Sequence, residues 1–354
     1  MAMTRKKPIN LALQGGGAHG AFTWGVLDAL LEDGRVHVEG ISGTSAGAMN
    51  GVVVADGLMR GGEDGARQAL SDFWHAVSDA GRFSPLQRSL IDIFMGNWSL
   101  DNNPAYLFFD LMNRLASPYD MNPFDVNPLR DILDEFVDFE RVRSCDEMKI
   151  FISATNVETG RVKVFNRREL TLDMVMASAC LPFLFKAVEI DDVPYWDGGY
   201  MGNPVLFPFF QTCSSEDILI VQINPIERPG TPRTAREILN RVNEITFNGS
   251  LMKELRAIDF VRRLIEDGRL DRKDYRRINL HMVEAQDEIA PLGASSKLNA
   301  EWTFLRYLFA IGRDTALDWL DRHYDDLGQR STVDMRALFQ GTENEQQELA
   351  RALQ

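Results

Sequence analysis

The sequence predicts an α/β fold built on a parallel sheet. Residues 9–13 form a short apolar run that stops at Gly15, Gly16 and Gly17, as a buried strand does. Residues 20–33 place Phe22, Val26, Leu27, Leu30 and Leu31 at helical spacing and end at Gly34. A second strand over 38–42 then runs into a tight turn, and a helix rich in small residues follows over 46–54. Strand, glycine loop, helix, strand, turn, helix is the order that generates parallel strands with helical crossovers.

The later elements follow in order. Residues 67–79 read as a charged helix with an apolar stripe at Leu70, Phe73 and Val77. The stretch 83–127 differs in texture. It mixes Phe83, Phe94, Met95, Trp98, Tyr106, Phe108, Phe109 and Met112 with Pro85, Pro104, Pro118 and Pro123, which predicts broken helices and loops with much apolar surface. Ordinary core packing is one use of such a segment; a cap or lid over an acyl site is the other. Strands are predicted over 149–155 and 161–165, a helix over 171–179, and a hairpin over 187–190 and 193–196 turning at Asp191 and Asp192. Residues 217–223 are a strongly apolar strand. Beyond Pro232 long amphipathic helices are predicted at about 233–266 and 296–324, with a strand over 278–283 between them and a polar, frayed helix over 341–354.

Composition narrows the function. Lys and Arg number 38 against 52 Asp and Glu, a formal net charge of -14. A nucleic-acid partner is disfavoured, because phosphate binding needs a basic surface. Long-range attraction to anionic lipid is disfavoured too, although an apolar patch could still dock on a bilayer. Cys145, Cys180 and Cys213 are widely spaced, with no disulfide framework and no zinc pattern. Reduced, buried thiols suit a cytoplasmic protein. The basic N-terminus (Arg5, Lys6, Lys7) lacks a signal-length apolar run, and no uncharged apolar run reaches 18 residues.

Three motifs carry chemistry. Gly43-Thr44-Ser45-Ala46-Gly47 follows a strand and precedes a helix, the setting of a nucleophile elbow. The small flanking residues let the serine stand at a strained turn, and the helix directs its positive end at developing charge. Gly15, Gly16, Gly17, Ala18, His19 and Gly20 form the second motif. Consecutive glycines let backbone N–H groups converge on one point, as an oxyanion hole requires. The same residues fit the dinucleotide pattern G-x-G-x-x-G, but the ribose-binding acid expected about 20 residues on is replaced by the run into Ser45. The third motif, Asp197-Gly198-Gly199, follows a strand and is by itself an ordinary turn. It matters because Ser45 needs a base. Of the five histidines (His19, His37, His75, His281, His323), none has the turn-after-strand setting of a triad histidine. An ordinary α/β-hydrolase is also disfavoured, since its elbow follows several strands and Ser45 follows two.

In type, order and spacing these motifs resemble the patatin-like phospholipase family over residues 8–210. Ala177-Ser178-Ala179 leading to Pro182 and Phe185, and Asn203-Pro204 after the aspartate, add to the likeness. The resemblance implies a three-layer sheet flanked by helices, with residues 211–354 adding the last strand or strands and a mostly helical C-terminal extension. It also implies a Ser45–Asp197 dyad without histidine, with the amides of Gly16, Gly17 and Ala18 forming the oxyanion hole and Gly15 shaping the turn. One departure is His19, where the family usually carries Arg or Lys. A titratable group there would make any charge assistance depend on pH; a local hydrogen bond at the helix start is the other use.

The expected activity is lipid acyl hydrolysis of the phospholipase A or lysophospholipase type, with no metal and no cofactor. Two alternatives stand beside it: an esterase acting on a soluble ester, thioester or storage polyester, and a non-catalytic lipid-binding regulator that retains the fold. Asp197 is expected to be shielded, hydrogen-bonded to Ser45 and held by the Gly198–Gly199 backbone. The apolar stripes Leu251, Leu255, Ile258, Val261, Leu264, Ile265 and Trp302, Leu305, Leu308, Phe309, Leu320 fit packing on the sheet, with a homodimer or a peripheral membrane contact as the other uses. Ser295 or Ser296 is expected to cap the last long helix.

Overall fold

A computed structural model of the chain describes residues 6–82 and 84–341. Arg5, Phe83 and the predicted tail helix beyond Gly341 lie outside the described residues. The centre is one eight-stranded sheet. Its strands are β1 (Lys7–Leu13), β2 (Val36–Gly43), β3 (Lys149–Asn156), β4 (Val162–Asn166), β5 (Val188–Ile190), β6 (Val193–Asp197), β7 (Asp217–Val221) and β8 (Asn279–Val283). Strands β3, β2, β1, β7 and β8 lie side by side and parallel, while β4, β5 and β6 pair antiparallel.

Both faces of this sheet are covered, so the fold is a mixed α/β sheet flanked by helices. Alternate residues on a strand point to opposite faces. Leu11, Leu13, Leu219, Val221 and Val283 join one core, with α1 (Gly20–Asp33) and α2 (Ala46–Gly81). Ala12, Ile218, Ile220, Leu280 and Met282 join the other, with Leu251, Leu255 and Ile258 of the helix Ala235–Glu266. This double coverage is why the parallel strands read as unbroken apolar runs.

Helix α1 is buried from Gly20 to Leu31 because the helix Trp302–His323 covers its outer side. The two helices meet backbone to backbone. A Cβ at Gly25 would stand 2.9 Å from the Arg313 nitrogen, and one at Gly312 would stand 3.1 Å from the Val26 nitrogen. The region after residue 211 is mostly helical, with β7 and β8 extending the sheet.

Two helix boundaries differ from expectation. Residues 46–54 and 67–79 belong to a single run, α2, broken only at Gly61–Gly62, where Gly62 takes φ 65°. The last long helix begins at Trp302, after Glu301, and no serine caps it. Both serine hydroxyls are committed elsewhere. Ser295 Oγ accepts the Leu100 amide at 3.0 Å, and Ser296 Oγ donates to the Gly293 carbonyl at 2.6 Å. Residues Ala294–Leu298 form a separate 3-10 turn.

Between α2 and β3 the chain is broken into the short helices Leu90–Phe94, Pro104–Leu115 and Pro118–Met121, then Pro128–Phe136 and Phe139–Ser144. Proline opens three of these, where its missing N–H costs nothing.

Candidate active site

The sheet's pairing pattern brings two distant motifs together. On β3, Phe151 and Ile152 pair with both β2 and β4, so those two strands flank β3 on opposite sides. Ala154 and Thr155 pair with both β4 and β6, which places β6 on the same side as β2. Pairing with β2 ends at Gly43–Ile152, and pairing with β6 begins at Asp197–Ala154. The end of β6 therefore arrives just beyond the end of β2, where the chain turns into Ser45.

Ser45 occupies that turn with φ 54° and ψ −121°, a conformation that side chains rarely adopt and that costs on the order of 1–3 kcal/mol. Packing around the turn is close. A Cβ at Gly47 would stand 2.8 Å from the Leu13 carbonyl carbon and 2.9 Å from the Gln14 oxygen. Ser45 donates its amide hydrogen to Ser178 Oγ at 2.9 Å, and the side chain of Thr44 donates to the Gly202 carbonyl at 2.7 Å. Between Ile41 and Asn50 every residue is buried except Ser45. Ala46 starts α2 with no acidic side chain in the first turn, so the helix presents an unopposed positive end.

Asp197 is 2% exposed. Its amide donates to the Cys180 carbonyl at 2.8 Å, its carbonyl accepts from Thr155 Oγ1 at 2.8 Å, and its Oδ1 accepts from the Gly199 amide at 2.7 Å. Burial pushes its carboxyl up to about 7; the Gly199 amide, the Ser45 hydroxyl and the positive charge of Lys297 act in the opposite direction. A carboxyl at that value is half ionised near neutrality and is a far stronger base than a free aspartate.

The glycine loop leans against the elbow. A Cβ at Gly15 would stand 2.7 Å from Ser45 Cβ, and one at Gly20 would stand 2.6 Å from Ala46 Cβ. Buried amides brace the loop. Gly15 donates to Asn203 Oδ1 at 2.7 Å, and Asn224 Nδ2 donates to the Gly15 carbonyl at 2.7 Å. Gln14 Oε1 accepts from the amides of Ile223 and Asn224 at 3.0 and 2.9 Å, and Gln14 Nε2 donates to Asn248 Oδ1 at 3.2 Å. Among the described residues no hydrogen-bond acceptor is found for the amides of Gly16, Gly17 and Ala18.

His19 does not behave as a cation. Ser296 gives its one hydrogen to Gly293, so the His19 Nε2–H must be the donor in the 2.8 Å contact with Ser296 Oγ. Burial, with Lys297 and Arg228 nearby, holds the imidazole down at about 3. The loop's charge therefore does not switch at neutral pH. His281 pairs with Asp217 at 3.0 Å, but Asp217 opens β7 at the end of the sheet opposite Ser45. His37 and His75 are exposed or lie in helix α2, and His323 contacts Asp326.

Sequence reasoning named Ser45, Asp197 and the glycine loop, which the fold gathers at one end of the sheet. It missed the braces: Gln14, Asn203, Asn224 and Asn248 are all buried polar side chains. A polar Gln ending the apolar strand β1 was the available signal.

The family model for patatin-like phospholipases matches residues 11–210, more than half of the chain. The chain belongs to the patatin-like phospholipase family. Membership implies a lipid acyl hydrolase. No curated protein matches the sequence. Among solved structures, VipD from Legionella pneumophila is 14% identical, with a TM-score of 0.38, covering 98% of this patatin-like chain and 75% of its own. The type III effector protein ExoU is 16% identical, with a TM-score of 0.35, covering 90% of this chain and 54% of its own. The complex of SpcU with ExoU from Pseudomonas aeruginosa gives 15% identity and a TM-score of 0.29, over 88% of this chain and 53% of that one. This patatin-like chain thus spans about half the length of ExoU. None of its described helices is long and apolar enough to cross a membrane.

Proposed function

We propose that the protein hydrolyses acyl esters of lipids, as a phospholipase A or lysophospholipase does, through a Ser45 acyl-enzyme with Asp197 as the general base. The observation that carries this reading is the placement of the buried Asp197 carboxyl at the end of β6, just beyond the turn that holds Ser45, with burial raising that carboxyl to about 7. Ser45 Oγ attacks the ester carbonyl carbon as its proton passes to Asp197. The carbonyl oxygen becomes an oxyanion facing the free amides of Gly16, Gly17 and Ala18. Collapse breaks the ester C–O bond, and Asp197 returns the proton to the departing alcohol oxygen. Water then attacks the acyl carbon as its proton passes to Asp197; the acyl C–Oγ bond breaks, Asp197 returns the proton to Ser45 Oγ, and the fatty acid leaves.

The segment 84–127 supports a lipid substrate. It is anchored beside the glycine loop, where Asn299 Nδ2 donates to the Trp98 carbonyl at 3.0 Å and Arg88 pairs with Glu301 at 2.6 Å. It is anchored again past Asp197's neighbour Cys180, where Lys186 Nζ donates to the Pro123 carbonyl at 2.8 Å. Along this segment Phe94 and Phe124 are 88% and 89% exposed, and Met95, Phe108 and Leu115 also face solvent. Exposed apolar surface on a segment anchored at these points suits a cap that meets lipid. With a net charge of -14, contact with a neutral bilayer is favoured over an anionic one.

The test is hydrolysis of phosphatidylcholine vesicles and of a short soluble ester by the wild type, S45A, D197N and a double F94S/F124S variant. S45A and D197N are expected to lose both activities, and F94S/F124S to lose vesicle hydrolysis alone. Full activity of S45A on both substrates contradicts the proposal.

A further inference from the structure

The 3-10 turn Ala294–Leu298 comes from the C-terminal third of the chain, yet it packs on the glycine loop. Gly17, at φ 59°, is shaped for this contact. A Cβ there would collide with the Lys297 carbonyl and stand 3.4 Å from Lys297 Cβ. Lys297 turns its ammonium inward, where Nζ donates to Asn224 Oδ1 at 2.7 Å. Asn224 in turn donates to the Gly15 carbonyl at 2.7 Å. Two hydrogen bonds therefore join the ammonium to the loop that faces Ser45.

The charges around this ammonium leave it a distinct role. Arg228 is matched by Glu244 at 2.7 and 3.1 Å, and Arg241 reaches the same carboxylate at 3.2 Å. Lys297, by contrast, bonds a neutral amide. Desolvation, joined by Arg228, holds its ammonium below the usual lysine range, while Glu244 and Asp197 favour its charge. The groups that act on Asp197 are Ser45, the Gly199 amide and Lys297, and Asp197 in turn acts on Cys180 and Tyr200. His19 shares the compartment and is neutral. The glycine loop has no cation of its own.

We infer that Lys297 is a positioning residue that supplies positive charge to the site, favouring ionised Asp197 and the oxyanion that forms over Gly16, Gly17 and Ala18. This rests on the Ser45–Asp197 reading. A cation bonded through Asn224 to the glycine loop, and acting on Asp197 as positive charge, favours negative charge at the base and beside the loop.

The experiment compares wild type, K297Q and K297R on a short soluble ester across pH 5 to 9, with melting temperatures. Glutamine can still donate to Asn224, so K297Q removes charge while keeping that hydrogen bond. K297Q is expected to lose kcat by about tenfold or more, with KM changed less than about threefold, and to shift the acid limb of kcat/KM upward. K297R is expected to recover most of kcat and the wild-type limb. If K297Q does not fold, K297M, which keeps the methylene packing, takes its place. Wild-type kcat and acid limb in the neutral variant overturn the inference. So do equal losses in the neutral variant and K297R with an unmoved limb, the pattern of a structural role. Fluorophosphonate labelling separates the two levels: an unlabelled wild type overturns the Ser45 reading itself, whereas a labelled wild type with an unaffected K297Q overturns only the role of Lys297.

Discussion

Ser178 Oγ accepts the amide hydrogen of Ser45 at 2.9 Å, so the helix Leu172–Ser178 holds the elbow from outside its own strand and helix. The bond satisfies a half-buried donor at a residue held at φ 54°. Removing it leaves that donor unpaired, a cost of about 1–3 kcal/mol. S178A is therefore expected to lower kcat by about tenfold or more with a smaller change in KM, and S178T to restore part of it. Steady-state kinetics on a soluble ester check this; equal kcat for S178A and wild type rules it out.

The pH profile should report Asp197. Activity requires the carboxylate, so kcat/KM is expected to rise with pH through about 7 and not through the ordinary carboxylate range. Replacing Asp197 by Asn removes the activity and the limb together.

The same shift has a stability consequence. The folded Asp197 carboxyl lies above its ordinary value of 3.8, so its contribution is intact below about pH 4 and is lost as pH rises through about 7. The loss approaches roughly 4 kcal/mol at alkaline pH. D197N, which cannot ionise, is expected to melt higher than wild type at pH 8.5, with a smaller gap at pH 5. Parallel melting curves at both pH values would contradict the buried, ionisable carboxyl.

At the crossing of α1 with the helix Trp302–His323, Gly312 leaves no room for a side chain. G312A is expected to destabilise the protein by about 1–3 kcal/mol, the usual cost of overpacking. Urea unfolding measures it. An unchanged midpoint would mean that the helices do not meet at backbone distance.

The parallel strands were legible because each is an apolar run cut off by glycine, proline or acidic residues, and coverage on both faces keeps such runs unbroken. The elbow and the glycine loop were legible because their geometry demands small residues at fixed spacing. The side of β3 on which β6 pairs was not legible, since Val193–Asp197 carries no mark of its partner. The helices over 46–54 and 67–79 are one run because Gly62, at φ 65°, lets α2 resume almost at once. Asn224, Asn248 and Lys297 reach the glycine loop from more than 200 residues away, and an isolated asparagine or lysine has no local signature. His19 stands where the family usually carries Arg or Lys, which left a titratable charge or a local hydrogen bond as its uses; burial and Lys297, which hold it neutral, and Ser296, which it bonds, come from elsewhere in the chain.

The central claim is that Ser45 is an activated nucleophile. Incubation with a fluorophosphonate followed by peptide mass spectrometry tests it most directly. The account predicts one covalent adduct on Ser45, slowed in D197N and absent in S45A. No adduct on the wild type, or an adduct of equal yield on S45A, would contradict it.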